Sequence, residues 1–140
     1  MATMNVEILT PEAALWSGTA SALMARSSDG EFTVLPEHTA TVGDVVPYVV
    51  RVQTTDEGEI AFAVHSGFFQ VGKGREPDVT LATVLASVAE RTTEIDVPRA
   101  QAAKEAAEAR LAAATQGEDE ELLAYAALQR AELRLSAATK

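Results

Sequence analysis

The strongest constraint on this chain is a change of hydrophobic period at Ile95-Asp96-Val97-Pro98-Arg99-Ala100. Before it, apolar and polar residues alternate between turn signals, the pattern of strands with one buried face. After it, alanine and leucine recur every three or four residues, the pattern of helix. The two periods demand a β part followed by an α part. Asp96 is placed to cap the first helix, since its carboxylate can accept from the orphan N–H groups two and three residues on. Pro98 falls in the first turn, where a missing N–H is tolerated. Asp96 and Arg99 are three apart, so the simplest reading is a cap plus a surface charge pair.

In the β part, Val6 and Ile8 alternate with Asn5 and Glu7 up to Thr10-Pro11. Trp16 is expected to anchor the edge of the core, ahead of a second strand over residues 19–26. Ser28-Asp29-Gly30 marks a tight turn. Phe32 and Val34 then alternate with Glu31 and Thr33, and Pro36 ends the ladder because it has no N–H to give. Residues 45–52 read as one strand, residues 60–64 and 68–71 as two more, and residues 79–86 as the last. Residues 72–78 read as a long polar turn. Many short strands with short links and no crossover helices argue for an antiparallel sandwich or flattened barrel. The expected division is residues 1–90 and 91–140.

In the α part, Ala100, Ala103, Ala107, Leu111 and Ala114 form one stripe. Gly117 stops it, and Asp119 is the expected next cap. Ala124, Leu128, Ala131, Leu135 and Ala138 form a second, heptad-like stripe. The short link makes the helices an antiparallel hairpin. Alanine allows close approach but buries little area, so the hairpin is weakly held. That suits a moving element, and equally a passive exposed tail. A turn centred near Gly117–Glu118 would set Arg99 opposite about residue 136 and Arg134 opposite about residue 101. Arg130 lies one turn from Arg134 on the same face. Three guanidinium groups beside one carboxylate favour a further anion, and Arg suits phosphate through its planar fork. Pairing with acidic neighbours such as Glu105 is the competing reading, and the pattern alone leaves both open.

Net charge is −10, and residues 1–94 carry 13 acidic against 5 basic side chains. Nucleic acid and anionic lipid are therefore unfavourable partners, whereas a basic protein surface is favourable. Cysteine is absent, so no disulfide framework or thiolate metal site is expected. Neither a signal peptide nor a membrane-spanning run is visible. His38 and His65 have no zinc spacing, and no nucleophile elbow or phosphate-binding glycine loop appears. Gly72-Lys73-Gly74 has no helix after it and reads as a plain turn. The chain reads as a non-enzyme with no metal site.

Four segments carry a resemblance. Asp29-Gly30-Glu31-Phe32-Thr33-Val34-Leu35-Pro36-Glu37-His38 is similar to the ILPGHAP loop of the epsilon subunits of F-type ATP synthases. Phe62-Ala63-Val64-His65-Ser66-Gly67-Phe68-Phe69-Gln70-Val71 is similar to their GGFLEV segment, and residues 81–91 to their VTVLADxAER strand. Residues 95–100 match their IDxxRA motif. The resemblance implies a ten-stranded β-sandwich followed by a two-helix hairpin, in a non-catalytic rotor subunit of the central stalk. Its partners would be the gamma subunit, the c-ring, with Glu31, Pro36 and His38 as contacts, and the catalytic alpha and beta subunits. The hairpin would either lie on the sandwich or extend into the catalytic head and block ATP hydrolysis. No cofactor is obligatory, but ATP is a regulatory ligand in several bacterial members. By motif match that site falls on Glu90, Ile95, Asp96, Arg99, Ala100, Arg130 and Arg134. The implied location is peripheral, on the cytoplasmic face of the cell membrane. Thr33, Glu37 and Ala40 depart from the family's usual Gly, Gly and Pro, and Ala106 stands where some ATP-binding members have Arg. The acidic hairpin tip, residues 116–121, is a further departure. A passive sandwich-and-helix adaptor of another assembly is the alternative.

Overall fold

The computed structural model describes residues 3–74 and 79–138. Seven strands come first: β1 Met4–Leu9, β2 Ala14–Ser27, β3 Gly30–Val34, β4 Thr41–Val45, β5 Tyr48–Thr54, β6 Glu59–Lys73 and β7 Thr80–Arg91. A 3-10 turn at Thr92–Glu94 precedes α1 Val97–Ala113 and α2 Asp119–Ala138. The chain forms two compact units, Met1–Arg91 and Thr92–Lys140.

The first unit is one sheet in the order β1-β7-β6-β5-β2-β3, with β4 on β6. β1 also pairs with β2, which closes the sheet on itself. The β1–β2 ladder is antiparallel, and the β1–β7 ladder is parallel from Asn5↔Leu81 to Leu9↔Leu85. Met4, Val6 and Ile8 of β1 point inward and are fully buried. They join Leu23, Val34, Val50, Val52, Phe62, Val64 and Val84 in a single core. The rings of Phe32 and Phe69 pack with centroids 4.4 Å apart, tilted by 33°, a favourable aromatic arrangement.

The structure has seven described strands where the resemblance implies ten, because long strands serve two partners in succession. β6 pairs with β5 through residues 59–64 and with β4 through residues 67–71. β2 pairs with β1 through its first half and with β3 and β5 through its second. The single strand expected over residues 45–52 is instead broken into β4 and β5. Pro47 has no N–H for a ladder, and Val46 N–H leaves it to donate to Arg26 O at 3.0 Å,. β7 runs on to Arg91, five residues beyond its expected end at Ala86. Its ladder with β6 is irregular between Val64 and Gly67. There the backbones come so close that a Cβ on Gly67 would lie 2.0 Å from Leu85 O, so only glycine fits. Of the expected polar turn, residues 75–78 lie outside the described residues.

Trp16 lies at the core's edge as expected, packed against the buried cluster. Its ring crosses Gly18, where a Cβ would meet it at 2.7 Å. Its indole N–H donates to Glu57 Oε2 at 2.9 Å, and Arg91 Nη2 donates to Glu57 Oε1 at 3.1 Å. The Trp16 hydrogen bond, then that from Arg91, hold the Glu57 carboxyl below its ordinary value of 4.5,.

The second unit is held by alanine. Ala100 and Ala107 of α1 and Ala124 and Ala131 of α2 are buried, seven residues apart on each helix. Leu128 and Leu135 flank the α2 seam as expected, but in the last turn the buried alanine is Ala137 rather than the expected Ala138. On α1, however, Ala103 is exposed and Lys104 takes its place on the seam. The 4-3-4-3 run is 100, 104, 107, 111, 114, and a lysine can lay its aliphatic stem along such a seam with its ammonium in water. The α1 helix stops at the extended Ala114, before Gly117, whose φ of 85° shapes the turn instead. Asp119 is the first helical residue rather than the cap. Asp119, Glu120 and Glu121 fill the first turn, where the helix dipole favours negative charge. Glu121 Oε1 accepts from Gly117 N–H at 3.1 Å.

A carboxyl with a depressed folded value stabilises above its unfolded value and loses that contribution as pH falls through the folded one. Acidification through and below 4.5 should therefore release Trp16 from Glu57. Fluorescence of Trp16, the chain's one tryptophan, should report this as a titration step that Glu57→Gln abolishes.

Candidate functional site

The base of the hairpin is the candidate site. Asp96 sits at the N-cap with extended backbone, and its Oδ1 accepts from Arg99 N–H at 3.1 Å. Ala100 N–H donates to Asp96 O at 3.0 Å, the first α-helical bond. Ala100 is 3% exposed on the seam, and Ile95 is half-buried ahead of the cap. The cap role of Asp96 is thus borne out. The side-chain ion pair with Arg99 is not among the ion pairs of the described residues. The carboxylate is turned onto backbone N–H, where it satisfies an otherwise orphan donor.

Arg110 Nη2 pairs with Glu120 Oε1 at 3.1 Å and fixes the register of α1 against α2. Eleven residues before Arg110 lies Arg99, and eleven after Glu120 lies Ala131, so these two are level. Arg99 is therefore set opposite the stretch bracketed by Arg130 and Arg134. The expected register placed residue 136 there; the turn is earlier because α1 ends at Ala113. Arg130 and Arg134 stand one turn apart on α2, Arg130 exposed and Arg134 half-buried. Among the described residues, the guanidinium groups of Arg99 and Arg130 have no hydrogen bond or ion pair. Glu105, their expected competitor, instead accepts from Gln101 Nε2 at 3.4 Å. Such an arrangement presents forked N–H donors to an anion with several oxygens. Glu90 belongs to the first unit, on β7 opposite Ala63.

The first unit carries two further surfaces. Glu31 is exposed on β3, and the loop after it exposes Leu35 and His38 and half-buries Pro36. His38 Nδ1 lies 2.8 Å from Thr39 O; a carbonyl only accepts, so Nδ1 carries the proton. Elsewhere, Phe68 of β6 faces Leu85 of β7, and Leu85 faces Leu9 of β1. Phe68 is 63% exposed, Leu85 46% and Val42 on β4 73%. The row of Leu9, Leu85 and Phe68 ends at Asp44, the β4 partner of Phe68, while Val42 lies opposite Gln70; exposed apolar side chains grouped in this way are suited to a partner surface. Sequence reasoning missed it, although the adjacent pair Phe68-Phe69 was a signal, since one ring of two consecutive strand residues must point outward.

A closed β-sandwich followed by an arginine-bearing helical hairpin is the class of fold these observations define. The β-sandwich domain of the ATP synthase delta/epsilon chain matches residues 3–92, and the long α-helix domain of the same chain matches residues 93–139. The ATP synthase epsilon chain of Moorella thermoacetica is 39% identical over 138 residues, covering 99% of this chain and 98% of the relative. That of Brevibacillus brevis is 39% identical over 111 residues, covering 79% of this chain and 80% of the relative. A chain in the cryo-EM structure of Euglena gracilis mitochondrial ATP synthase, OSCP/F1/c-ring, shares the fold with a TM-score of 0.79. It is 22% identical, over 100% of this chain and 83% of that one. The chain belongs to the ATP synthase delta/epsilon family, as an epsilon-type component of the F-type ATP synthase.

Replacing Asp96 with Ala should cost the hairpin about 1 kcal/mol by removing its cap. Helical circular dichroism should melt earlier, while the β signal of the first unit stays unchanged.

Proposed function

We propose that this subunit is non-catalytic and couples the catalytic head to the c-ring, and that its hairpin regulates ATP hydrolysis. The observation that carries the reading is the alanine seam: all five buried residues of the two helices, Ala100, Ala107, Ala124, Ala131 and Ala137, are alanines. At roughly 25 cal/mol per Å² such small side chains contribute little, which suits an element that must rearrange. Extended into the head between alpha and beta subunits, the hairpin would block hydrolysis. The exposed pair Phe68 and Leu85 suits the gamma subunit, and the loop of Glu31, Pro36 and His38 the c-ring. The subunit would then lie on the cytoplasmic face of the membrane, held there through the complex.

ATP is the proposed regulatory ligand, its phosphates held by Arg99, Arg130 and Arg134, with Ile95, Asp96 and Ala100 forming the helix start beside them. Glu90 joins this set by motif match alone. A ligand that binds only one arrangement of the hairpin shifts the population toward it. Asp96 contributes through the cap, which fixes where Arg99 projects.

Hydrolysis by the complex with and without residues 92–140, across ATP concentrations, tests the regulatory reading. Removal should raise hydrolysis at low ATP and abolish its extra ATP dependence; equal rates with and without the hairpin would sink it. In calorimetry on the full chain, Arg99→Ala or Arg134→Ala should weaken ATP binding about 10-fold or more, the scale of one charge-assisted hydrogen bond. Phe68→Asp should weaken binding to gamma by about 2 kcal/mol, as for an interface anchor, without changing ATP binding.

A further inference from the structure

Glu37 is the one non-glycine residue with positive φ among the described residues, at 69°. This left-handed conformation is unfavourable for a residue with a long side chain and persists only where its surroundings impose it. Two bonds impose it here. Glu37 N–H donates to Thr80 Oγ1 at 2.8 Å, and His38 N–H donates to Leu35 O at 3.1 Å. Thr80 is itself buried at the start of β7, 8% exposed, so the loop is bolted to the sheet. Glycine would adopt the same backbone without strain, so the backbone alone does not explain a glutamate.

The side chain stands at the lip of a half-open cleft of about 440 Å³, also lined by His38, Thr39, Ala40, Lys73 and Thr80. The Glu37 carboxylate is exposed and makes no ion pair or hydrogen bond among the described residues. Lys73 lines the same cleft and makes no ion pair with it. Leu35, two residues earlier in the same loop, is 53% exposed. A strained residue aiming an unpaired carboxylate over a cleft is arranged for a cation brought from outside.

We propose that Glu37 is a docking residue: its carboxylate receives a guanidinium or ammonium group from a partner loop seated in this cleft. Lys73, which also lines the cleft, meets an oxygen acceptor on the same loop. The acidic excess of residues 1–94 steers a basic partner surface toward the cleft. The inference rests on the reading of the chain as a stalk subunit, since that reading supplies a partner surface at this loop.

Rebinding to membranes stripped of this chain but retaining the rest of the ATP synthase tests it, using the full chain at about 50 mM and about 500 mM salt. Wild type should rebind. Glu37→Gln keeps the shape and the strain but loses the charge, and should bind at least about tenfold more weakly at low salt. The gap should narrow at high salt, where the ion pair is screened. Glu37→Gly removes strain and charge together; it should melt at a temperature no lower than wild type yet bind as weakly as Glu37→Gln. Glu37→Gln rebinding within about twofold of wild type at low salt would overturn the proposal. So would Glu37→Gly binding as tightly as wild type. Failure of wild type itself to rebind would instead count against the stalk reading.

Discussion

β1 pairing along both its edges is the constraint on which the first unit depends. One six-residue strand runs antiparallel to β2 and parallel to β7, and so removes the open edge between the second strand and the last. A closed sheet needs every inward position filled, which explains the density of valine, phenylalanine and leucine in the core. Closure also explains the crowding at Gly67, where β6 must approach β7 too closely for any side chain on that residue. The result is a body rigid enough to hold a loop such as residues 35–40 in a conformation its own residues disfavour.

The hairpin follows the opposite logic. Its helices are well made locally, with a carboxylate cap, a proline in the first turn and acidic residues at the start of α2. Their union is thin, because alanine brings backbones close without burying much surface. Local stability with a thin union between the helices suits the rearrangement proposed for the hairpin. A leucine seam would have raised the cost of such a change by several kcal/mol.

The change of period at residues 95–100 made the two-part fold legible, since period 2 and period 3.6 cannot share an element. Helix starts were legible where a side chain does the capping, as at Asp96. The α2 start was not, because Asp119 suits both a cap and a first-turn position and only the backbone chooses. Strand ends were less legible, because a strand that passes from one partner to the next leaves no turn residue behind. Pro47 was visible as a break, yet with apolar residues on both sides the run still read as one strand. At the site, residue types and spacing singled out Arg99, Arg130 and Arg134, but not their register, which depends on where α1 ends. Glu37 was visible only as an oddity, since conformational strain is a property of the folded loop and not of composition.

The cap and the proposed anion site are linked through one carboxylate. Were Asp96 paired with the Arg99 side chain, guanidinium N–H donors would be taken up and fewer would be left for an anion. Its Oδ1 is spent on backbone N–H. One oxygen thus secures the helix start, and Arg99 is left to project without a partner at the level of Ala131. Replacing the aspartate by asparagine would preserve the capping geometry while removing one negative charge beside the arginines. The two roles therefore pull in opposite directions at this position: capping tolerates either residue, whereas attraction of a phosphate is stronger without the carboxylate. That aspartate stands there means the charge serves the helix dipole and the setting of Arg99 more than it harms the attraction.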